Sequence, residues 1–89
     1  MTERERLVVR ALGSEASAVA LQRMLGGADA SYDLVVDCMR ELGMREDQLE
    51  EPASRVALGD LMVQRGGAIS VIGRTLRLRA KVRRLDDSS

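Results

Sequence analysis

The sequence predicts an α+β fold, a small bundle of about four helices closed by a C-terminal β-hairpin. Three observations lead to this prediction. Apolar residues recur with helical spacing through residues 1–65. Gly73-Arg74 has the glycine-first form of a two-residue type II′ turn. On both sides of that turn apolar and polar residues alternate, which is typical of strands with one buried face.

Four helices are predicted before the hairpin, and each is followed by a glycine that can end it. Their apolar positions span residues 1–12, 14–25, 29–42 and 54–65. The polar segment 44–53 contains the only proline and is predicted to be a loop with one helical turn. The candidate N-caps are Thr2 with Glu5 for the first helix, Ser14 or Ser17 for the second, Asp29 or Ser31 for the third, and Ser54 for the fourth.

In the predicted hairpin, Ile72 lies opposite Thr75, and this register turns Leu76 and Leu78 toward the helices. Basic side chains then share the outer face, and residues 68–85 contain no acidic residue. Cations on alternate strand positions suit a phosphate backbone, although they also protect an edge strand from aggregation. The candidate nucleic-acid-binding residues are Arg74, Arg77, Arg79, Lys81, Arg83 and Arg84.

Length and composition favour a single domain over residues 1–85, with residues 86–89 as a frayed tail. The chain has no His and one cysteine, Cys38, whose helical apolar setting predicts a small buried side chain. We therefore expect no enzyme activity, metal site, cofactor or small-molecule substrate. No apolar run approaches the length of a membrane span, so no membrane contact and a cytoplasmic location are expected.

A second candidate site lies on the predicted third helix, where an acidic residue recurs at every fourth position. The four share the face opposite the apolar residues, which is either an ordinary solvated face or a docking face for a basic protein. The net charge is −5 over residues 1–52 and +5 over residues 53–89. Such a division predicts association into a homo-oligomer. The acidic residues are Asp29, Asp33, Asp37 and Glu41.

Residues 54–61 read SRVALGDL, and residues 69–78 read ISVIGRTLRL. This order resembles the recognition helix and wing that end winged helix-turn-helix regulators of the catabolite-activator type. The resemblance implies a winged-helix fold in which the hairpin contacts DNA. In a different alignment, the stretch from Leu21 to Gly43 is similar to the helix-turn-helix in the gamma domain of bacterial DNA translocases. In that alignment the predicted third helix of this chain would contact DNA.

A third resemblance concerns residues 25–43, LGGADAS followed by YDLVVDCMRELG. This stretch looks like the loop and acidic second helix of an acyl carrier protein. In that family a serine preceded by aspartate carries the phosphopantetheine, whereas Ser31 here follows Ala30. Carrier proteins also end with their fourth helix and have no basic hairpin.

Together these features predict a small bacterial or phage nucleic-acid-binding protein of regulatory type. In this interpretation the basic side chains of the hairpin contact the phosphates of duplex DNA, and Arg74 at the tip enters a groove. The alternative is a protein-interaction module, such as an adaptor, an inhibitor or a subunit. It would dock through the acidic helix face or through the edge of the hairpin.

Overall fold

The computed structural model describes the backbone of residues 1–88 and the side chains of residues 1–83. Over residues 1–88 the chain forms helices and no strand, so the predicted α+β fold is wrong. A short 3-10 turn, Glu46–Gln48, lies in the predicted loop before the fourth helix. The five α-helices are α1 (Glu3–Leu12), α2 (Glu15–Leu25), α3 (Ala28–Leu42), α4 (Pro52–Arg65) and α5 (Ile69–Ser88).

The first two helices begin and end as their capping residues predict. The Thr2 side chain accepts a hydrogen bond from the Glu5 amide at 3.2 Å, and α1 ends at Gly13. Ser14 accepts from the Ser17 amide at 3.3 Å, which makes Ser14 the N-cap of α2. These side-chain oxygens satisfy amide groups that the first helical turn leaves without a partner.

The next two helices begin earlier than predicted. Gly27 is the N-cap of α3, so Asp29 and Ser31 lie inside its first turn. Ser31 is fully buried, and its hydroxyl donates to the Ala28 carbonyl at 2.8 Å. Pro52 is the first residue of α4. Proline suits this position because an amide hydrogen there would have no acceptor within the helix. Ser54 is therefore a helical residue and not a cap.

The predicted hairpin is a single helix, α5. Residues two apart along a helix point in nearly opposite directions, about 200° around the axis, whereas residues four apart share a face. The alternating apolar residues therefore divide into an inward and an outward pair. Leu76 and Ala80 are 2% and 4% exposed, whereas Leu78 and Val82 are 65% and 50% exposed. The prediction that Leu78 faces the helices is wrong.

Gly73, predicted to form a turn, lies inside α5 at its closest approach to α4. A Cβ atom built on Gly73 would lie 2.8 Å from the carbonyl oxygen of Gly59, and one built on Gly59 would lie 2.7 Å from that of Gly73. The residue is glycine because the two backbones touch, and not because the chain reverses. The two helices run in opposite directions and are joined through Gly66 and Gly67.

The core contains side chains from all five helices and from Leu49, which follows the 3-10 turn. Cys38 is completely buried, so the prediction of a small buried side chain is confirmed. No helix within the described residues is long and apolar enough to cross a membrane. The largest fully buried side chains are Leu12, Leu21, Leu49, Leu58 and Met62.

Candidate functional site

The acidic residues on α3 are exposed as predicted, yet most are already paired within the molecule. Asp29 forms an ion pair with Arg4 of α1. Asp37 and Glu41 both bind Arg65 at the end of α4, at 3.0 and 2.8 Å. Among the described side chains only Asp33 of the four has no ion pair.

Arg65 therefore connects α3 to α4. Its hydrogen bonds to Glu41 and to Asp37 raise the pKa of the guanidinium above its ordinary value. This arrangement supports the interpretation of the acidic stripe as a solvated face that stabilises the bundle. Docking of a basic partner on it stays a prediction.

The predicted basic row does not form, because a helix distributes its residues differently from a strand. Arg74 and Lys81 lie on one flank of α5, and Arg79 and Arg83 lie on the other. All four are exposed and have no ion pair with any described side chain. Arg77 instead binds Asp60 of α4 at 3.0 Å. The side chain of Arg84 lies outside the described residues.

An apolar stripe runs between the two flanks, facing away from the core. Its described members are Val71, Leu78 and Val82, which we call the outer stripe; Val71 is 55% exposed. Thr75 lies in the same line, and its hydroxyl donates to the Val71 carbonyl at 3.1 Å. The resulting 4-3-4 spacing is that of the contact positions of a coiled coil. In the sequence this spacing continues to Leu85, whose side chain lies outside the described residues.

The outer stripe is the one place in the described chain where large exposed apolar side chains recur along a single helix face. Val19 and Met24 are also exposed on α2, but they are five residues apart and do not share a line. Isolated exposed apolar side chains are ordinary, whereas a contiguous apolar patch marks an interaction surface. The outer stripe with its basic flanks is therefore the candidate site.

The outer stripe is not predicted from the sequence, because the alternation of apolar and polar residues predicts a strand there. A signal was present: Leu76 with Ala80, and Leu78 with Val82, are two apolar pairs at helical spacing. A helix with apolar residues on opposite faces contacts a second partner or leaves one face exposed.

The winged-helix architecture is also corrected, because the residues assigned to the wing belong to α5. The described chain therefore lacks the predicted DNA-binding element. It also contains no group of three His, Cys, Asp or Glu side chains placed to hold a metal ion. No protein-family model, curated protein or solved structure matches this chain.

Proposed function

We propose that this protein is a protein-interaction module that binds an acidic amphipathic helix of another protein along the outer face of α5. The observation that carries the proposal is the outer stripe, three apolar side chains at least half exposed on a helix whose opposite face is already buried. A partner helix with apolar residues at matching spacing would cover them, as in a coiled-coil contact.

The charge distribution supports an acidic partner. Arg74, Arg79 and Lys81 flank the outer stripe, and none has an ion pair among the described side chains. The acidic residues of α3 are mostly bound to arginines of this chain, so a second copy would offer little free negative charge. Acidic residues beside the apolar positions of a separate partner would complement both flanks.

The narrow outer stripe favours an acidic helix as the partner over two other negatively charged surfaces, an anionic membrane and a nucleic acid. A helix that inserts into a membrane surface has a broad apolar face with aromatic residues, whereas the outer stripe is one side chain wide and has none. A phosphate backbone bonds to cations and polar groups, and the centre of this face offers apolar side chains instead. A partner helix fits both parts of the surface.

Burial of the outer stripe would contribute part of the binding free energy, and contacts with the flanking cations and the rest of the helix would add to it. Covering three half-exposed side chains contributes about 3 kcal/mol, which corresponds to roughly two powers of ten in affinity. The flanking charges add mostly to the association rate and to specificity.

The test uses a fluorescent peptide of about three heptads with Leu at the two contact positions of each heptad and Glu beside them. We expect the protein to raise its fluorescence anisotropy saturably. A matched peptide with Lys in place of Glu is expected not to bind. The double variant Leu78→Gln, Val82→Gln is expected to lose at least about tenfold in affinity, because it removes most of the apolar contact.

The matched control is Val19→Gln with Met24→Gln, which changes two exposed apolar residues on α2. This variant is expected to bind the acidic peptide as the parent does. Absence of saturable binding by the parent would refute the proposal. Binding to duplex DNA or to anionic vesicles that depends on Leu78 and Val82, without binding to the peptide, would also refute it.

The absence of enzyme activity, a cytoplasmic location and the formation of a homo-oligomer remain predictions from the sequence. Size-exclusion chromatography at low and high salt tests the last of these. Charge-driven association is expected to dissociate at about 0.5 M salt, where screening is short-ranged.

A further inference from the structure

A small cavity lies where the end of α1, the start of α4 and the middle of α5 meet. It encloses about 120 Å³. Its apolar lining comes from buried residues, among them Leu12 and Leu76. Three arginines also line it, and no acidic side chain of the described residues does. We call it the arginine cavity, after Arg55, Arg79 and Arg83.

Arg55 is the innermost of these cations, and its hydrogen bonding is incomplete. One terminal nitrogen donates to the Arg10 carbonyl at the end of α1, at 2.6 Å. The Nε atom is buried and has no hydrogen-bond partner. A buried donor without an acceptor is costly, and such atoms are uncommon in native proteins.

Gly13 lies against the guanidinium of Arg55. A Cβ atom at Gly13 would lie 3.2 Å from the Cζ atom of the guanidinium, tighter than most side-chain contacts, so Arg55 would have to shift slightly. Gly13 also has a φ of +70°, which disfavours other residues. A residue without a side chain, Gly13, thus lies next to the guanidinium of Arg55.

The cavity lining is positive, and the nearby carboxylate of Glu50 offsets its charge only in part. Burial, and then the charge of Arg83, lower the pKa of Arg55. Pro52, the first residue of α4, also lines the cavity, so the N-terminus of that helix lies beside it. Arg10 offers a contrast within the same protein, because Glu46 and Glu50 bind it at 3.0 and 2.6 Å.

We propose that the arginine cavity binds a phosphate group, as free orthophosphate or as the phosphate of a small phosphomonoester. Three guanidinium groups match the two negative charges and several acceptor oxygens of phosphate better than the single charge of a carboxylate. The cavity admits a tetrahedral oxyanion, whereas a sugar or base attached to it would remain outside. The anion would balance the partly buried positive charge of Arg55, although it would not contact the Nε atom, which is inaccessible to solvent.

The experiment is an NMR titration of the ¹⁵N-labelled full chain with orthophosphate at constant ionic strength. We expect saturable shifts of the Gly13 and Ala80 amides and of the Nε–H resonance of Arg55. Arg79→Gln and Arg83→Gln are each expected to weaken binding by about threefold to tenfold. Both side chains are exposed, so these variants should fold as the parent does.

Arg74→Gln is the matched control, since it removes the same charge from the opposite flank of α5. It is expected to leave phosphate affinity within a factor of two of the parent. If Arg74→Gln lowered the phosphate affinity as much as the cavity variants do, binding would depend only on net charge, and the proposal would be wrong. Shifts that do not saturate, or that chloride reproduces, would overturn it as well.

Two further arms identify the ligand chemistry. A titration with glycerol 3-phosphate tests the phosphomonoester. If glycerol 3-phosphate binds and orthophosphate does not, the site is assigned to phosphomonoesters. Acetate binding as tightly as either would reject phosphate as the preferred group. The two proposed sites share Arg79, and the Leu78→Gln, Val82→Gln variant separates them, because it is expected to lose the peptide and to bind phosphate like the parent.

Discussion

α3 and α5 are the two helices with the most distinctive charge patterns, and they differ in how those charges are satisfied. The acidic face of α3 is held by arginines of α1 and α4. The exposed cations of α5 on its two flanks have no counterpart among the described side chains. One charged face is thus paired within the fold, whereas the other has no ion pairs among the described side chains.

The apolar residues of the two helices differ in the same way. α3 buries Val35, Cys38 and Met39 on one side and exposes mainly charged residues on the other. α5 buries Leu76 and keeps Leu78 in solvent. The single apolar face of α3 is buried within the fold, whereas the second apolar face of α5 stays exposed.

The largest expected effect distinguishes the two apolar faces of α5. Leu76→Asp is expected to destabilise the protein by about 4 kcal/mol, because it buries an unpaired charge. Leu78→Asp is expected to change the free energy of unfolding by no more than about 0.5 kcal/mol, because its side chain is in solvent. Urea denaturation followed by circular dichroism measures both. The reverse order would restore the hairpin register in which Leu78 faces the core.

The second prediction concerns the contact that holds α5 in place. Gly73→Ala is expected to cost about 2 kcal/mol, even though alanine favours an isolated helix by about 1 kcal/mol, because the added methyl meets the backbone of α4. Thr75→Ala on the same helix serves as the control and is expected to be neutral or slightly stabilising. Thermal unfolding compares the two variants. A more stable Gly73→Ala protein would contradict the close backbone contact.

The third prediction compares an arginine that is paired within the fold with one that is not. Arg65→Gln removes two ion pairs with α3 and is expected to destabilise the protein by about 1 kcal/mol at low salt. Arg74→Gln is expected to change stability by less than about 0.3 kcal/mol, since it has no ion pair to lose among the described side chains. The difference should shrink at about 1 M salt. Equal effects of the two substitutions would remove the distinction between the charged faces.

The smallest expected effect lies within the acidic stripe of α3. Asp37→Asn is expected to lose about 0.5 kcal/mol, because Asp37 binds Arg65. Asp33→Asn is expected to be neutral or slightly stabilising, since it relieves repulsion from acidic residues one turn away. Chemical denaturation at low salt measures the difference. If both substitutions were stabilising, the Arg65 contact would not contribute to folding.

The first 65 residues were largely predictable because their signals are local. A serine or threonine before an apolar pattern and a glycine after it define a helix without knowledge of the tertiary structure, as at Ser14 and Gly26. The predicted helix ends at Gly13 and Gly43 are confirmed for the same reason.

The last helix was not predictable by the same reasoning, because tertiary contacts determine the roles of its residues. A glycine followed by a polar residue predicts a turn, and only the proximity of α4 shows that Gly73 is a packing contact. Likewise, the alternation from Leu76 to Val82 fits a half-buried strand as well as a helix with two apolar faces. The arginine cavity depends on Gly13, Arg55 and Arg83, which are far apart in the sequence.

The backbone contact between Gly59 and Gly73 has a consequence for recognition. No side chain separates α4 from α5 at this point, so α5 cannot rotate about its axis or slide by a turn without opening a gap between the helices. The outward residues of α5 are consequently fixed in direction before any encounter. A partner would meet a preorganised surface, and little conformational entropy of the backbone would be lost on binding.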